Sequence, residues 1–266
     1  MRSGSILSML LMLLALFLAD GALGAEAARS GTFDSAGVPI AYAVTGSGEP
    51  VVLIHGLYSS GDVNWKVPGT VKLLAERYRV ITFDLRGHGA SGRPAEEEAY
   101  GLQMVEDVAR LMDHLHVKKA HIVGYSLGGM IALKFVTLHA DRALSGTLCG
   151  MGWLREGSPL AEFWEKLGGR EGSKTPAACL HSISRLGVTE EALKAVRVPM
   201  AVVVGDRDPC KRLYVEPLKG VRKDWPVTEI EGAGHLNCIM KEQFRDAVRK
   251  WLDKNAGADA TKPEVR

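Results

Sequence analysis

Short, mostly apolar runs with β-type composition recur along this chain at 51–54, 80–83, 120–123, 144–149 and 200–204, and longer stretches with helical spacing separate most of them. A run such as Val51-Val52-Leu53-Ile54, apolar at every position, belongs to a strand covered on both faces, the situation of a parallel sheet between helical layers. Parallel neighbours need a crossover connection, which the helical stretches supply; that at 102–116 carries apolar residues at Val105, Val108, Leu111, Met112 and Leu115. Other helical stretches are expected near 67–77, from Gly129 onward, at 212–220 and at 237–254. A hairpin at 33–45 turning at Gly37 and a run at 227–230 complete the set. The fold class expected is α/β: a doubly wound, mostly parallel eight-stranded sheet flanked by helices. The rhythm breaks between Met151 and Ala195, where Gly, Ser, Pro and charged residues mix with Trp153, Phe163 and Trp164. That break reads as a small inserted helical cap, which leaves 25–150 and 196–254 as the core and 255–266 as a flexible tail.

Net charge bounds the partners. The 266 residues carry 33 basic and 31 acidic side chains, a formal balance of +2, with no basic stripe suited to nucleic acid. A small-molecule substrate fits better. At the amino terminus Arg2 precedes an apolar run at 6–19 and then the small residues Gly21-Ala22-Leu23-Gly24-Ala25. This is the layout of a secretory signal peptide over residues 1–24, shorter in its apolar part than the roughly 20 residues that span a bilayer. Export to the periplasm or beyond, without stable membrane insertion once the signal is cleaved, is the expectation. Cys149, Cys179, Cys210 and Cys238 would then enter a disulfide-permissive compartment, and their spacing resembles no zinc site. Two readings stay open, a Cys210–Cys238 bridge or four reduced cysteines packed as small hydrophobes. The sequence does not fix the oligomeric state.

Chemistry is concentrated where the strand at 120–123 meets the following helix, in Gly124-Tyr125-Ser126-Leu127-Gly128. A G-x-S-x-G segment between a strand and a helix lets the chain reverse sharply and leaves the serine hydroxyl exposed at the strand's carboxyl end, beside a helix amino terminus that favours negative charge. Ser126 is the nucleophile candidate. Such a serine needs a base and a carboxylate to orient it. His235, in Gly232-Ala233-Gly234-His235 after the last strand, is the base expected from the chain order nucleophile, acid, histidine. Asp208, in Gly205-Asp206-Arg207-Asp208-Pro209, is preferred as the acid, with Asp206 expected to hydrogen-bond its own turn. Two backbone N–H groups must receive the oxyanion: Leu127, after the serine, and Leu57, after His55-Gly56. Tyr58, Tyr125, Trp153, Phe163 and Trp164 are the residues expected to line the substrate pocket, with simple cap packing the alternative for the aromatics of the insertion.

Five pieces in one order, His55-Gly56-Leu57, the run from Asp84 to Ser91, Gly124 to Gly129, Gly205 to Asp208 and Gly232 to His235, make the chain resemble the α/β-hydrolase family of esterases, enol-lactone hydrolases, carbon–carbon bond hydrolases and epoxide hydrolases. The resemblance implies a Ser126, Asp208, His235 triad with Leu57 and Leu127 as oxyanion donors, and a structural role for the 84–91 loop, His88 included. It calls for no cofactor and no metal. Serine at the elbow departs from the aspartate of the family's epoxide hydrolases and dehalogenases, and the 151–195 insertion has none of the tyrosines those epoxide hydrolases place there. His55-Gly56-Leu57-Tyr58-Ser59 departs from the His-Gly-Gly-Pro-Gly loop of its proline-releasing peptidases. Hydrolysis of a small carboxylic ester or lactone is the simplest remaining activity. A cofactor-free perhydrolase or haloperoxidase-like enzyme, a carbon–carbon bond hydrolase, and a receptor-like member with little turnover are the alternatives.

Overall fold

A computed structural model describes residues 29–167 and 172–257. The segment read as a signal peptide and most of the tail read as flexible lie outside the described residues. Strands β1 (Arg29–Ser35) and β2 (Val38–Thr45) form the hairpin, turning through Ala36 and Gly37, both with positive φ. They are followed by β3 (Glu49–Ile54), β4 (Tyr78–Phe83), β5 (Ala120–Tyr125), β6 (Ala143–Cys149), β7 (Met200–Gly205) and β8 (Val227–Ile230). The sheet order is β1-β2-β4-β3-β5-β6-β7-β8; β2 runs antiparallel to both neighbours and every pair from β4 to β8 is parallel. This is the doubly wound, mostly parallel arrangement expected from the sequence. Among the described residues no helix is long and apolar enough to cross a membrane.

Alternation within the central strands divides the core in two. Val52 and Ile54 of β3, with Ile122 of β5, face one layer, where α1 (Leu102–His114) and α2 (Leu127–Leu138) pack. Val51, Leu53, Val123 and Tyr125 face the other, against Trp65, Phe244, Val248 and Leu252, the last three from α3 (Glu242–Asn255). Such a period of two is what a pleated strand imposes. The final helix is shorter at its start than expected, because Cys238–Met240 form a 3-10 turn and Lys241 breaks the run with an extended backbone. Helical structure near 67–77 is also reduced: Asp62–Lys66 form a wide turn of π type, Gly69 adopts φ 86°, and only Thr70–Leu74 are α-helical.

The 84–91 loop is held from within. Asp84 accepts from the Gly61 and Ala90 amides, both at 2.8 Å, while the Ser91 hydroxyl donates to the Asp84 carbonyl at 2.6 Å. Arg86, buried, donates to both oxygens of Asp107 on α1 through Nε at 2.7 Å and Nη2 at 2.6 Å. Burying the two charges together in this forked geometry avoids the cost either would carry alone. Between β6 and β7 the insertion forms short helices at Pro159–Lys166, Ala177–His181 and Glu190–Ala195 and a 3-10 segment at Ser182–Leu186. Ser158 and Thr189 cap the first and third, their hydroxyls accepting from the Ala161 and Ala192 amides.

Candidate active site

Ser126 sits where β5 turns into α2, with φ 54° and ψ −116°, a backbone strained for any residue with a side chain. Three contacts hold that turn. The Ser126 amide donates to the Cys149 carbonyl at the end of β6 at 2.8 Å, and its own carbonyl accepts from Gly129 and Met130 in the first helical turn. Close packing explains the flanking glycines: a Cβ at Gly124 would lie 1.9 Å from the Gly128 carbonyl oxygen, and one at Gly128 would lie 2.2 Å from that of Ile54. Here the need is for space, and only glycine satisfies it.

The β7 and β8 ends converge on the same edge. The Asp206 amide donates to the Ile230 carbonyl at 3.1 Å, and Arg207 donates to Ala233 at 3.0 Å. Besides the Arg207 amide of its own turn, Asp206 reaches the loop that follows β8. Its carboxylate accepts from the Ala233 amide at 3.0 Å, so it braces the loop that carries His235, and the Gly232 and Ala233 amides hold it below the usual carboxylate range. Asn237 closes that loop by accepting from the Gly234 amide at 2.8 Å.

Across this junction run two hydrogen bonds of equal length: His235 Nε2 stands 2.9 Å from Ser126 Oγ, and His235 Nδ1 stands 2.9 Å from Asp208 Oδ2. A carboxylate only accepts, so Nδ1 carries the ring proton toward Asp208 and Nε2 is left to accept from the serine hydroxyl. Asp208 is buried, and its second oxygen accepts from the Cys210 amide at 2.8 Å. Ser126 and His235 are partly open to solvent. The structure therefore brings together the three residues singled out as nucleophile, base and acid.

Leu127 is the first residue of α2, so its amide has no partner one turn back in the helix. Leu57 follows Gly56, where a Cβ would come within 3.2 Å of the Ser126 Cβ. Asn64, which the sequence reading passed over, fixes this approach: its Oδ1 accepts from the Gly56 amide at 2.7 Å. His55 is fixed as well, Nδ1 donating to the Gly56 carbonyl at 2.7 Å and Nε2 accepting from the Leu85 amide at 2.9 Å. Burial, with the neighbouring His88 ring adding to it, pushes His55 down to about 3, so the ring is neutral.

The expected pocket residues fall into separate places. Tyr125 is not in a pocket: it shares the Val123 face of β5, is only 4% exposed, and packs edge-on against Trp65 and Phe244. Its hydroxyl donates to the His235 carbonyl. Trp153, also 4% exposed, is cap packing, its indole N–H donating to the Val188 carbonyl at 2.7 Å. Phe163 lies on the outside of its helix, 52% exposed, with its ring edge against Trp164. Trp164 is partly buried and reaches Tyr214 Oη at 3.3 Å. Tyr58 is exposed, with φ 59°. Tyr214 was missed; its carbonyl accepts from the Trp153 amide at 2.9 Å, tying the cap to the segment after Asp208. Two clefts of about 520 and 300 Å³ lie elsewhere, the first lined by residues 116–119 and 141–142 at the amino ends of β5 and β6, the edge opposite Ser126.

Cys149, Cys179, Cys210 and Cys238 are all unbridged, so the bridge reading gives way to the reduced one. Cys210 lies beside Asp208, and burial together with that carboxylate pushes its thiol up to about 12.

Residues 49–181 match the sequence profile of the alpha/beta hydrolase fold family, and the chain belongs to that family. It is 38% identical over 109 residues to the dihydrolipoyllysine-residue acetyltransferase component of the acetoin cleaving system of Pseudomonas putida, covering 41% of this chain and 28% of that one. The chain spans less than half the length of the curated relatives it matches. In structure it is similar to a thermophilic esterase from Thermogutta terrifontis, with a TM-score of 0.71 and 24% identity over 86% of this chain and 100% of the other. It is also similar to the enol-lactonase of Burkholderia xenovorans, with a TM-score of 0.68 and 22% identity over 84% of this chain and 100% of that one.

Proposed function

We propose that this protein is a serine hydrolase that cleaves a small carboxylic ester or lactone through an acyl-enzyme on Ser126. The observation that carries the reading is the continuous hydrogen-bonded chain from Ser126 Oγ through His235 to buried Asp208, both links at 2.9 Å. In this mechanism His235 Nε2 takes the serine proton as Oγ attacks the carbonyl carbon, and Asp208 stabilises the imidazolium that forms. The Leu57 and Leu127 amides receive the oxyanion. His235 then returns the proton to the leaving alkoxide, and a water activated by the same histidine releases the acid and regenerates Ser126. A lost oxyanion donor costs such enzymes about 10²- to 10³-fold in rate.

Support for ester or lactone chemistry comes from the relatives named as an esterase and an enol-lactonase, together with serine at the elbow. The reading includes export of the mature chain from residue 25, checked by amino-terminal sequencing of the protein recovered outside the cytoplasm. Its test is turnover of p-nitrophenyl esters of graded acyl length by the mature protein, expected to be strongest with short chains and absent in Ser126→Ala.

A further inference from the structure

We propose that Asp208, Cys210 and His235 form a binding site for a thiophilic divalent cation of the zinc class, and that filling it switches the hydrolase off. The carboxylate oxygen, the Cys210 sulfur and the His235 ring nitrogen all lie within 4.8 Å of one another. Oxygen, sulfur and imidazole nitrogen together suit zinc, cobalt or cadmium and disfavour the hard ions magnesium and calcium, which take oxygen ligands. Tetrahedral zinc asks for ligand atoms about 3.5 Å apart, so the Asp208–His235 pair must widen from 2.9 Å while the Cys210 sulfur adjusts, movements within reach of side-chain rotation. Three protein ligands leave a fourth position for water, and the partly open His235 ring gives the ion a way in. The Cys210 thiol, hydrogen-bonded to the Asp208 carboxylate, takes no part in the proton transfers of the ester mechanism.

Inhibition follows from proton accounting. In the metal-free protein His235 carries its proton on Nδ1, facing Asp208, and Nε2 is the free base. A cation on Nδ1 moves that proton to Nε2, where the ring can no longer accept from Ser126. Cys210 binds as thiolate and releases its proton to solvent, so one cation enters and one proton leaves. The inhibitory half of the proposal rests on His235 being the general base; binding itself does not.

Cobalt(II) titration of the full mature protein tests binding without any activity. The expected result is a near-ultraviolet sulfur-to-cobalt charge-transfer band with the visible absorption of four-coordinate cobalt, retained in Ser126→Ala and lost in Cys210→Ser. Zinc should displace cobalt and inhibit p-nitrophenyl acetate hydrolysis reversibly on chelation, with the half-inhibiting zinc concentration at least about 10-fold higher in Cys210→Ser. A wild-type protein without the charge-transfer band, or zinc inhibition unchanged by Cys210→Ser, overturns the proposal. The band appearing in a protein that hydrolyses no ester would support the cation site while counting against the hydrolase reading, so the two fail separately.

Discussion

The Tyr125 hydroxyl donates to the backbone carbonyl of His235, joining the residue before the nucleophile to the histidine that faces it. The ring is anchored on the far side of the sheet, edge-on to Trp65 and Phe244, so the bond ties the loop that carries His235 to the core. Tyr125→Phe keeps the packing and removes the bond, worth about 1 kcal/mol. It is expected to lower kcat about fivefold with KM unchanged, as measured by ester kinetics. A change in KM alone would assign Tyr125 to substrate binding instead.

Asp206 and Asp208 lie two residues apart and do different work. Asp208→Asn removes the carboxylate that holds Nδ1–H toward it, and kcat is expected to fall by about 10⁴-fold. Asp206→Asn weakens the carboxylate's bonds to the neighbouring loop amides and leaves the Asp208–His235 contact in place, so activity should fall far less while the melting temperature drops. Parallel kinetics and thermal melts of the two variants separate these roles.

Arg86 and Asp107 form a buried forked pair, which the Ser35 hydroxyl and, at 3.8 Å, Arg110 also approach at Asp107. Removing either partner by Arg86→Ala or Asp107→Ala is expected to cost about 3–5 kcal/mol in denaturant unfolding. Arg86→Lys should recover little of it, since one ammonium cannot reproduce the two-pronged contact.

Acid should destabilise the fold through His55. The folded ring is pushed down to about 3 from its ordinary 6.5, so between those values the unfolded chain binds the extra proton. Stability from this group is complete above pH 6.5 and declines as pH falls toward 3, at up to about 1.4 kcal/mol per pH unit. His88, also held down by burial, adds in the same direction. Denaturant midpoints measured between pH 7 and pH 4 should fall more steeply for the wild type than for His55→Asn.

The central strands were legible because they are covered on both faces, so apolar runs such as Val51 to Ile54 leave no ambiguity of type. Ser126, Asp208 and His235 were legible because strand ends, glycines and chain order all point to one sheet edge. Side-chain direction was less so. Tyr125 stands beside the nucleophile in sequence, yet it shares parity with Val123 and so belongs to the layer of Trp65 and Phe244. Trp153 falls to cap packing, the alternative the sequence leaves open for it, because cap residues are placed by contacts such as its bond to Val188, 35 positions away, which no local pattern reports. Asn64, bonded to an amide eight positions away, and Tyr214, bonded to Trp153 and Trp164 across the insertion, left no motif.

The most direct test of the central claim is hydrolysis of p-nitrophenyl acetate by the mature protein, followed by mass spectrometry of the enzyme quenched during turnover. The account predicts steady release of p-nitrophenol, an acetyl group on the peptide containing Ser126, and loss of both in Ser126→Ala. Turnover that survives Ser126→Ala, or an acetyl group carried by another residue, would contradict it.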